Sequence, residues 1–546
     1  MPLRSLAVLP SCRLAVLAAL VIAAAAPTAA QRPAAAISAD TLRVRLFALA
    51  DDSMGGRQTG EVGNVKAADW VAAAFRAYGL EPAGDNGTWF QVLPFVRTAP
   101  DPTSRLIAGR PLVPGVDFVP AAPPASWRGE NVRTIAGGVM GDTTTYPSAA
   151  DVEGKLVVFT PPAGMDFRSA RATLNVVLRR HPRFVGAAGL VAAILDLTGT
   201  DLIDQMMAGG ISATPPVVPA GKPALMVTSA AAAQLLAAGT VSGSVGWSQG
   251  PIAQPARNVV GILRGADPAL RGTYVSLSAH NDHVGFTRAP VDHDSARAFN
   301  RVVRPMGADS RMRPATPDEA ARIAAIRDSL RRAHAPRQDS IFNGADDDGS
   351  GTVALVELAR VLSRGPRPRR SILFVSHAAE ERGLLGSAWF TDHATVPVDS
   401  IVAEIDEDMI GRGNAADLPE GGPGYLEIVG ARRLSREFGD TLEAVNRRQA
   451  LPFTFNYAYD APGHPLQYYC RADHYSYARY GIPSVALSRG EHLDYHQVTD
   501  EAQYIDYAAL ARVATLVRDA ALALANMEHR PALDGPHGDP HAQCRQ

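Results

Sequence analysis

The stretch SILFVSHAAEERGLLG, residues 371–386, decides the fold of this chain. It begins with a short apolar run, which predicts a buried strand, and the paired acids Glu380 and Glu381 follow almost at once. In an open α/β sheet, ligand sites gather beyond the carboxyl ends of the strands. The stretch therefore predicts one strand of such a sheet, with polar side chains at its carboxyl end.

Strands and helices alternate on both sides of this stretch. That alternation predicts an α/β fold with a mostly parallel-centred mixed sheet sandwiched by helices. A helix is also predicted near the N-terminus, where apolar residues recur at helical spacing. The predicted elements are strands over 274–278, 371–375 and 401–405 and helices over 66–80, 352–362 and 505–526.

A chain of 546 residues is long enough for two to four domains. Short apolar runs separated by Gly and Pro predict a smaller β-rich unit inserted into the α/β domain, and the C-terminal tail is rich in Pro, Gly and His. The predicted segments are a signal peptide over 1–30, the first part of the α/β domain over 31–102, the β-rich unit over 103–254, the main part of the α/β domain over 255–526 with a long insertion at about 287–342, and a disordered tail over 527–546.

The N-terminus has the layout of an export signal. Arg4 and Arg13 precede an apolar run over 14–26, and small residues follow at 28–30. A membrane anchor is the alternative, but the run is shorter than the roughly 20 residues that span a bilayer. We expect an exported protein, periplasmic or extracellular, without a stable membrane anchor.

Three cysteines bear on the compartment and the tail. Cys12 leaves with the signal peptide, so that Cys470 and Cys544 remain. A Cys470–Cys544 disulfide is open in an oxidising compartment. Because the tail is predicted to be disordered, a free Cys470 is expected.

Several function classes are excluded. A formal net charge of −2 lacks the broad basic field of a non-specific nucleic-acid binder, so no nucleic-acid partner is expected. The sequence contains no G-x-S-x-G elbow, no H-E-x-x-H motif and no G-x-x-x-x-G-K-[ST] loop.

Acids and histidines concentrate in five segments, each placed after a predicted strand or before a helix. Parallel topology brings such segments together at one edge of the sheet. Imidazole and carboxylate ligands suit zinc, and cysteine-free sites of this kind are typically catalytic. The segments are SAHNDH (278–283), NGADDDGSG (343–351), AAEERGLLG (378–386), IDEDMIGR (405–412) and EHLDYHQVTD (491–500).

In this order the motifs H-x-D, G-A-D-D-x-x-S-G, E-E-x-G-L-x-G-S, D-M-I-G-R and D-Y-H-x-x-x-D resemble the M28 family of co-catalytic zinc aminopeptidases and carboxypeptidases. The resemblance covers residues 255–526, and GGRQTG at 55–60 is similar to the start of the family. The β-rich unit is similar to the protease-associated (PA) domain that many members insert. The resemblance implies a zinc-exopeptidase fold, two zinc ions per chain and a peptide substrate.

The resemblance also implies roles for single residues. The implied zinc ligands are His280 and Asp408 for one ion, Glu381 and His496 for the other, and Asp347 as the bridge. Glu380 falls where the family keeps its general base. Two zinc ions that share a water lower its pKa, and a neighbouring carboxylate can then carry its proton to the leaving amine.

Four further residues have expected supporting roles. Asp282 follows His280 by two positions, so in an extended segment it points the same way and could hold the second imidazole nitrogen. Tyr495 resembles a family tyrosine that donates to the oxyanion, and Tyr469 matches a second position where such a tyrosine occurs. Asp473 is expected to pack behind the ligands. His283 has no metal role in the motif.

The sequence favours an aminopeptidase, because acidic groups can receive a free amine. A carboxypeptidase or dipeptidase would need a cation for the terminal carboxylate, which Arg412 or an arginine of the 287–342 insertion could supply. The motifs also allow a glutaminyl cyclase on the same fold, or a non-catalytic, receptor-like binding protein. The sequence leaves open the side-chain preference, the physiological metal and the oligomeric state.

Overall fold

The computed structural model describes residues 36–121, 126–198, 200–212 and 223–546. The predicted signal peptide over 1–30 lies outside these residues. Across the described ranges, no helix combines the length and the apolar character needed to cross a membrane.

The strands of the described residues belong to four sheets. In chain order they are β1 (Glu81–Pro82), β2 (Phe90–Val92), β3 (Val96–Pro100), β4 (Arg105–Ala108), β5 (Arg110–Leu112), β6 (Phe118–Pro120), β7 (Trp127–Val139), β8 (Leu156–Thr160), β9 (Gly189–Ala193), β10 (Gly210–Ser212), β11 (Ala224–Val227), β12 (Thr240–Val245), β13 (Trp247–Pro251), β14 (Arg257–Leu263), β15 (Tyr274–His280), β16 (Gly285–Asp292), β17 (Gln338–Phe342), β18 (Ser371–His377), β19 (Ile401–Glu407), β20 (Tyr425–Val429), β21 (Thr454–Asn456) and β22 (Ser484–Ser488).

The α-helices pack against these sheets. They are α1 (Ala39–Leu49), α2 (Val62–Ala77), α3 (Ala149–Val152), α4 (Phe167–Ala172), α5 (Thr200–Ala208), α6 (Ser229–Ala238), α7 (His293–Val303), α8 (Pro317–Ala333), α9 (Gly351–Arg364), α10 (Leu385–Asp392), α11 (Arg436–Arg447), α12 (His474–Ala478) and α13 (Tyr507–Asn526).

The largest sheet has the strand order β1-β14-β18-β15-β19-β22-β20-β21, with β2 also paired to β14. Its centre, from β18 to β22, is parallel, and antiparallel pairs β14–β18 and β22–β20 flank it. This is the predicted parallel-centred mixed sheet. The parallel centre directs the carboxyl ends of β15, β18, β19 and β22 to one edge.

Helix α9 shows how the apolar pattern builds the core. It packs between the sheet and helices α1, α2 and α13, and its Leu355, Val356 and Leu358 are fully buried. Each such side chain contributes about 1.5–3 kcal/mol through its removal from water. Because α9 is fixed in this way, the acidic loop that precedes it is fixed as well.

The residues between β2 and β14 form two further sheets. One has the order β5-β4-β12-β7-β8-β9-β11-β6 and is parallel at its centre, from β7 to β11. The other is a three-stranded sheet, β10-β3-β13. The first sheet has its own buried clusters on both faces, around Phe159 and around Trp127. Its likeness to a PA domain stays a prediction.

The long insertion is a pair of helices on a two-stranded stem. Strands β16 and β17 pair in antiparallel fashion, and α7 and α8 lie between them in the chain. The predicted capping box at the start of α8 is present, since Thr316 and Glu319 bond each other's backbone N–H groups. Side chains of the predicted apolar face, such as Ile326, are half-buried.

The C-terminal tail differs from the expectation of a disordered segment with a free Cys470. Cys470 and Cys544 form a disulfide, with their Cα atoms 5.9 Å apart. The Gln546 side chain donates to the carbonyl of Tyr459 and accepts from the N–H of Tyr469. These long-range hydrogen bonds hold the end of the tail against the segment that carries Cys470, which brings the two thiols together. No local sequence pattern encodes such contacts.

Candidate metal centre

Three strand ends place most of the predicted ligands. His280 is the last residue of β15 and is in register with His377, the last residue of β18. Glu380 and Glu381 lie in a single helical turn just after β18, and Asp408 directly follows β19. The parallel centre of the sheet therefore brings these side chains to one edge, as the sequence predicts.

The loop before α9 supplies Asp347, and its two neighbouring aspartates have different partners. Asp346 accepts from the N–H of Gly411 at 2.6 Å. Asp348 accepts from the N–H groups of His280 and Gly351 at 3.1 and 2.9 Å. Both carboxylates therefore tie the loop to its surroundings. Asp347 is left to face the other predicted ligands.

Asp347 lies between two groups of donor atoms. Its Oδ1 is 3.2 Å from Nε2 of His280, which is itself 3.7 Å from Oδ1 of Asp408. Its Oδ2 is 2.9 Å from Nε2 of His496, which is 3.0 Å from Oε2 of Glu381. All five predicted ligands are therefore together, in the two groups that the sequence predicts.

The second group contains one more residue than predicted. His283 is fully buried, and its Nδ1 lies 2.7 Å from Oε1 of Glu381 and 3.6 Å from Oδ2 of Asp347. One donor atom from each of His283, Asp347, Glu381 and His496 falls within 4.8 Å of the others. The sequence interpretation gave His283 no metal role. The spacing gave no signal for it, because a residue three positions after His280 in an extended strand would point to the opposite face.

The donor set fits divalent metal ions. Around Asp347 the described residues gather four carboxylates without an arginine or lysine within 4 Å of any of them. Nε2 of His280 is buried and makes no hydrogen bond, although it points at carboxylates. Burial acts to lower the pKa of His280, but the carboxylates of Asp282, Asp347 and Asp408 outweigh it and hold that pKa well above its usual value. Such a site favours positive charge, and its imidazole and carboxylate ligands suit zinc.

Glu380 lies beside the first group. Its Oε2 is 3.9 Å from Nε2 of His280, and it lines the same cavity as Asp347, Asp408 and His496. Burial raises the pKa of Glu380 well above its usual value, and the charges of neighbouring carboxylates add to that effect. A carboxylate with a raised pKa beside the donor groups has the properties of a general base.

Asp282 supports two of these residues. Its carboxylate lies 3.6 Å from Nδ1 of His280, whose hydrogen-bond partner is instead the Asp282 carbonyl at 3.2 Å. The carboxylate accepts from the N–H of Glu380 at 3.1 Å and from the hydroxyl of Thr59 at 2.7 Å. Asp473 is buried just behind the ligands, and burial raises its pKa to about 7.

The two candidate tyrosines lie in different surroundings. Tyr495 lines the cavity with Asp347 and Glu380, and Nη2 of Arg471 donates to its hydroxyl at 3.2 Å. Tyr469 packs in an apolar cluster and does not line this cavity. The sequence interpretation did not single out Arg471, which orients Tyr495.

Arg412, the candidate for binding a substrate carboxylate, is occupied within the fold. It is 2% exposed, and its guanidinium pairs with Asp417 at 2.5 Å and with Asp494 at 3.0 Å. A guanidinium held by two buried carboxylates is not free to receive a peptide C-terminus. Arg412 therefore does not provide the cation that a carboxypeptidase would need for the terminal carboxylate of its substrate.

Arg57, in the N-terminal motif GGRQTG, holds the loop that carries Asp347. It is 1% exposed and donates to the carbonyls of Asn343, Gly344 and Asp347 at 2.5, 2.8 and 3.3 Å. Burial lowers the pKa of Arg57, against which the charges of Asp347 and Asp348 act. The first residues of the domain thus position its central acid.

Replacing Arg57 with methionine is expected to destabilise the protein. The change leaves buried carbonyl oxygens without donors, and each such group costs about 1–3 kcal/mol. Urea unfolding of the metal-free protein measures the effect. Arg322→Met is the matched control, because Arg322 is exposed on α8 and makes no ion pair with any residue the structure describes. A loss no larger than that of the control would contradict the role of Arg57.

Comparisons with known proteins agree with this geometry. The fold and the donor set define an α/β domain of the zinc-exopeptidase type. Residues 258–521 match the model of Peptidase family M28, and this domain of the chain belongs to that family.

Curated relatives match parts of the chain. Aminopeptidase NAALADL1 of Mus musculus is 40% identical over 98 residues, which are 17% of this chain and 13% of the relative. Leucine aminopeptidase 1 of Coccidioides posadasii (strain C735) is 34% identical over 154 residues, 27% of this chain and 37% of the relative. The chain therefore spans well under half the length of these relatives.

Several solved structures match most of the chain. BSAP, a zinc aminopeptidase from Bacillus subtilis, is 17% identical, with a TM-score of 0.50, and the match covers 90% of this chain and 95% of that chain. At this identity the match shows the fold.

Proposed function

We propose that this chain is a zinc aminopeptidase that binds two zinc ions and removes residues from the N-terminus of peptides. The observation that carries the proposal is the pair of donor groups that share Asp347, with Glu380 beside them in one cavity. His280 and Asp408 would hold one ion. Glu381 and His496 would hold the other. The curated relatives are named as aminopeptidases, which supports the proposed activity.

When bound, a pair of zinc ions supplies Lewis-acid polarisation of the scissile carbonyl and lowers the pKa of water. Glu380 then accepts a proton from the attacking water and delivers it to the leaving amine. Asp282 holds the backbone N–H of Glu380 and so keeps the turn in place. Burial raises the pKa of Glu380, which suits its carboxylate to accept the proton from water and then to donate it to the leaving amine.

The hydroxyl of Tyr495 would donate a hydrogen bond to the developing oxyanion. Arg471 donates a hydrogen bond to the oxygen of that hydroxyl. The hydroxyl proton of Tyr495 is then free to bond the substrate. The free α-amine of the substrate is a cation, and the carboxylates around Asp408 can receive it. The occupied guanidinium of Arg412 argues against a carboxypeptidase.

We further propose that the protein is exported. The sequence over 1–30 has the layout of a signal peptide. The Cys470–Cys544 disulfide agrees with an oxidising compartment such as the periplasm or the exterior.

The test is metal content together with activity of the protein lacking residues 1–30. Elemental analysis is expected to find about two zinc ions per chain. Aminoacyl-4-nitroanilides should be hydrolysed, and a chelator should abolish this activity until zinc is restored. Their N-acetylated forms are the controls, because they lack the cationic amine. Equal hydrolysis of both forms, or full activity without metal, would refute the proposal.

A further inference from the structure

The cavity of the metal centre continues beyond the ligands into a pocket with two more acids, Glu427 and Glu491. Glu427 lies on β20 and is 1% exposed, and Glu491 follows β22 and is 7% exposed. Neither residue belongs to the donor groups around Asp347. The proposed mechanism uses neither of them.

Each of these two carboxylates is only partly satisfied by the protein. Oε1 of Glu427 accepts from the hydroxyl of Tyr425 at 2.5 Å, and Oε2 of Glu491 accepts from the hydroxyl of Tyr468. Within the described residues, neither carboxylate has another side-chain hydrogen bond or an ion pair with a basic residue. Each therefore leaves one oxygen without a side-chain donor although it is more than nine-tenths buried.

The nearby cation is already engaged. Arg471 lines the same pocket, but its Nη1 donates to Asp309 of the long insertion at 2.6 Å and its Nη2 donates to Tyr495. Burial raises the pKa of Glu427 to about 8 and that of Glu491 to about 7, and the charge of Glu491 adds to the shift of Glu427. Without a paired cation such buried carboxylates tend to take up protons, whereas a cationic ligand that pairs with them would favour their ionised form.

The pocket wall also contains apolar side chains. Met409, Val429 and Ala486 line the same cavity as the predicted metal ligands and the two acids. In the pairing of β20 with β22, Val429 lies opposite Ala486 and Glu427 lies opposite Ser488, so that apolar and polar pairs follow each other along the sheet. A cavity lined by apolar side chains and two carboxylates complements a side chain with an aliphatic stem and a cationic end.

From this juxtaposition we propose that Glu427 and Glu491 form the specificity pocket of the enzyme and select substrates whose N-terminal residue is lysine or arginine. The inference rests on the proposed aminopeptidase function, because that function places the N-terminal residue of the substrate beside the metal ligands. The ammonium or guanidinium group would lie between the two carboxylates and bond their free oxygens.

Kinetics on a matched pair of substrates tests this pocket. Norleucine has the aliphatic stem of lysine without the ammonium group. With the metal-loaded enzyme, kcat/KM for lysyl-4-nitroanilide is expected to exceed that for norleucyl-4-nitroanilide at least tenfold. In Glu491→Gln and in Glu427→Gln this ratio should fall at least fivefold, because the lysyl value drops more than the norleucyl value.

Glu130→Gln is the matched control, because Glu130 is an exposed acid outside the pocket. It is expected to keep the preference of the wild type. A wild type that cleaves both substrates equally, or pocket variants that lose both activities in parallel, would overturn the proposal.

A binding measurement separates this proposal from the aminopeptidase function. Calorimetric titration of the metal-loaded protein with free L-lysine and L-norleucine requires no turnover. At least tenfold tighter binding of lysine, lost in Glu491→Gln, supports the pocket even if no peptide is cleaved. Equal binding of the two amino acids overturns the pocket even if the peptidase activity is confirmed.

Discussion

Glu380→Gln is expected to lower kcat by about 10²–10⁴-fold, the usual contribution of a positioned general base. The amide keeps the size of the side chain but cannot accept a proton from water. Glu380 lies beside His280 and lines the cavity, whereas the four atoms of the second donor group belong to other residues. The zinc content of the variant should therefore remain that of the wild type. Steady-state kinetics together with elemental analysis measures both quantities.

The neighbouring Glu381→Gln provides the contrast. Oε1 of Glu381 faces Nδ1 of His283 at 2.7 Å, and its Oε2 faces Nε2 of His496 at 3.0 Å, so this side chain belongs to the second donor group. Its replacement should reduce zinc content, and added zinc should restore part of the activity. If Glu380→Gln were also rescued by zinc, Glu380 would be a ligand and the division of roles between the two glutamates would be wrong.

The sequence predicted the part of the site that lies at the ends of strands. The predicted strand over 274–278 continues to His280, and the predicted strand over 401–405 continues to Glu407, so both ligands, His280 and Asp408, stand where a strand ends. Such strands can be located from the sequence because each is a short apolar run. Parallel pairing of these strands then brings their carboxyl ends to one edge of the sheet.

Residues that lie beyond the end of a strand were harder to predict, because their roles depend on how the chain turns there. His283 is three positions after His280, and in an extended strand it would point to the opposite face. The strand ends at His280, however, and His283 turns back to face Glu381. The segment that pairs with His283, through the bridge to Gln58, lies more than 200 residues away in the chain.

Long-range contacts explain the remaining differences. Arg57 donates to carbonyls 286 and 287 residues later, and Cys544 pairs with a cysteine 74 residues earlier. Composition alone predicted a disordered tail, because the segment is rich in Pro, Gly and His. The hydrogen bonds of Gln546 reverse that expectation, and they depend on a surface that only the folded domain provides.

Asp347→Asn is expected to abolish activity, because Oδ1 of Asp347 faces one donor group and Oδ2 faces the other, and the amide keeps only one of these oxygens and carries no negative charge. A ligand shared by two ions should matter more than a supporting residue, whose loss typically costs 10–100-fold in metal affinity. We expect the zinc affinity to fall at least about 100-fold. At a zinc concentration 1,000 times the wild-type Kd, zinc stabilises a one-site protein by about 4.1 kcal/mol, and a 100-fold weaker site reduces this to about 1.4 kcal/mol. Thermal unfolding with and without zinc measures the difference.

Asp346→Asn is the matched control, one residue earlier in the same loop. Its carboxylate accepts from the N–H of Gly411 and lies 3.2 Å from Nε2 of His492, and it belongs to neither donor group. This variant should lose stability in the metal-free state while its zinc-induced stabilisation stays near that of the wild type. Asp347→Asn should show the opposite pattern, because its side chain faces the ligands. If both variants lost zinc equally, the loop as a whole would determine metal binding and Asp347 would not be the shared ligand.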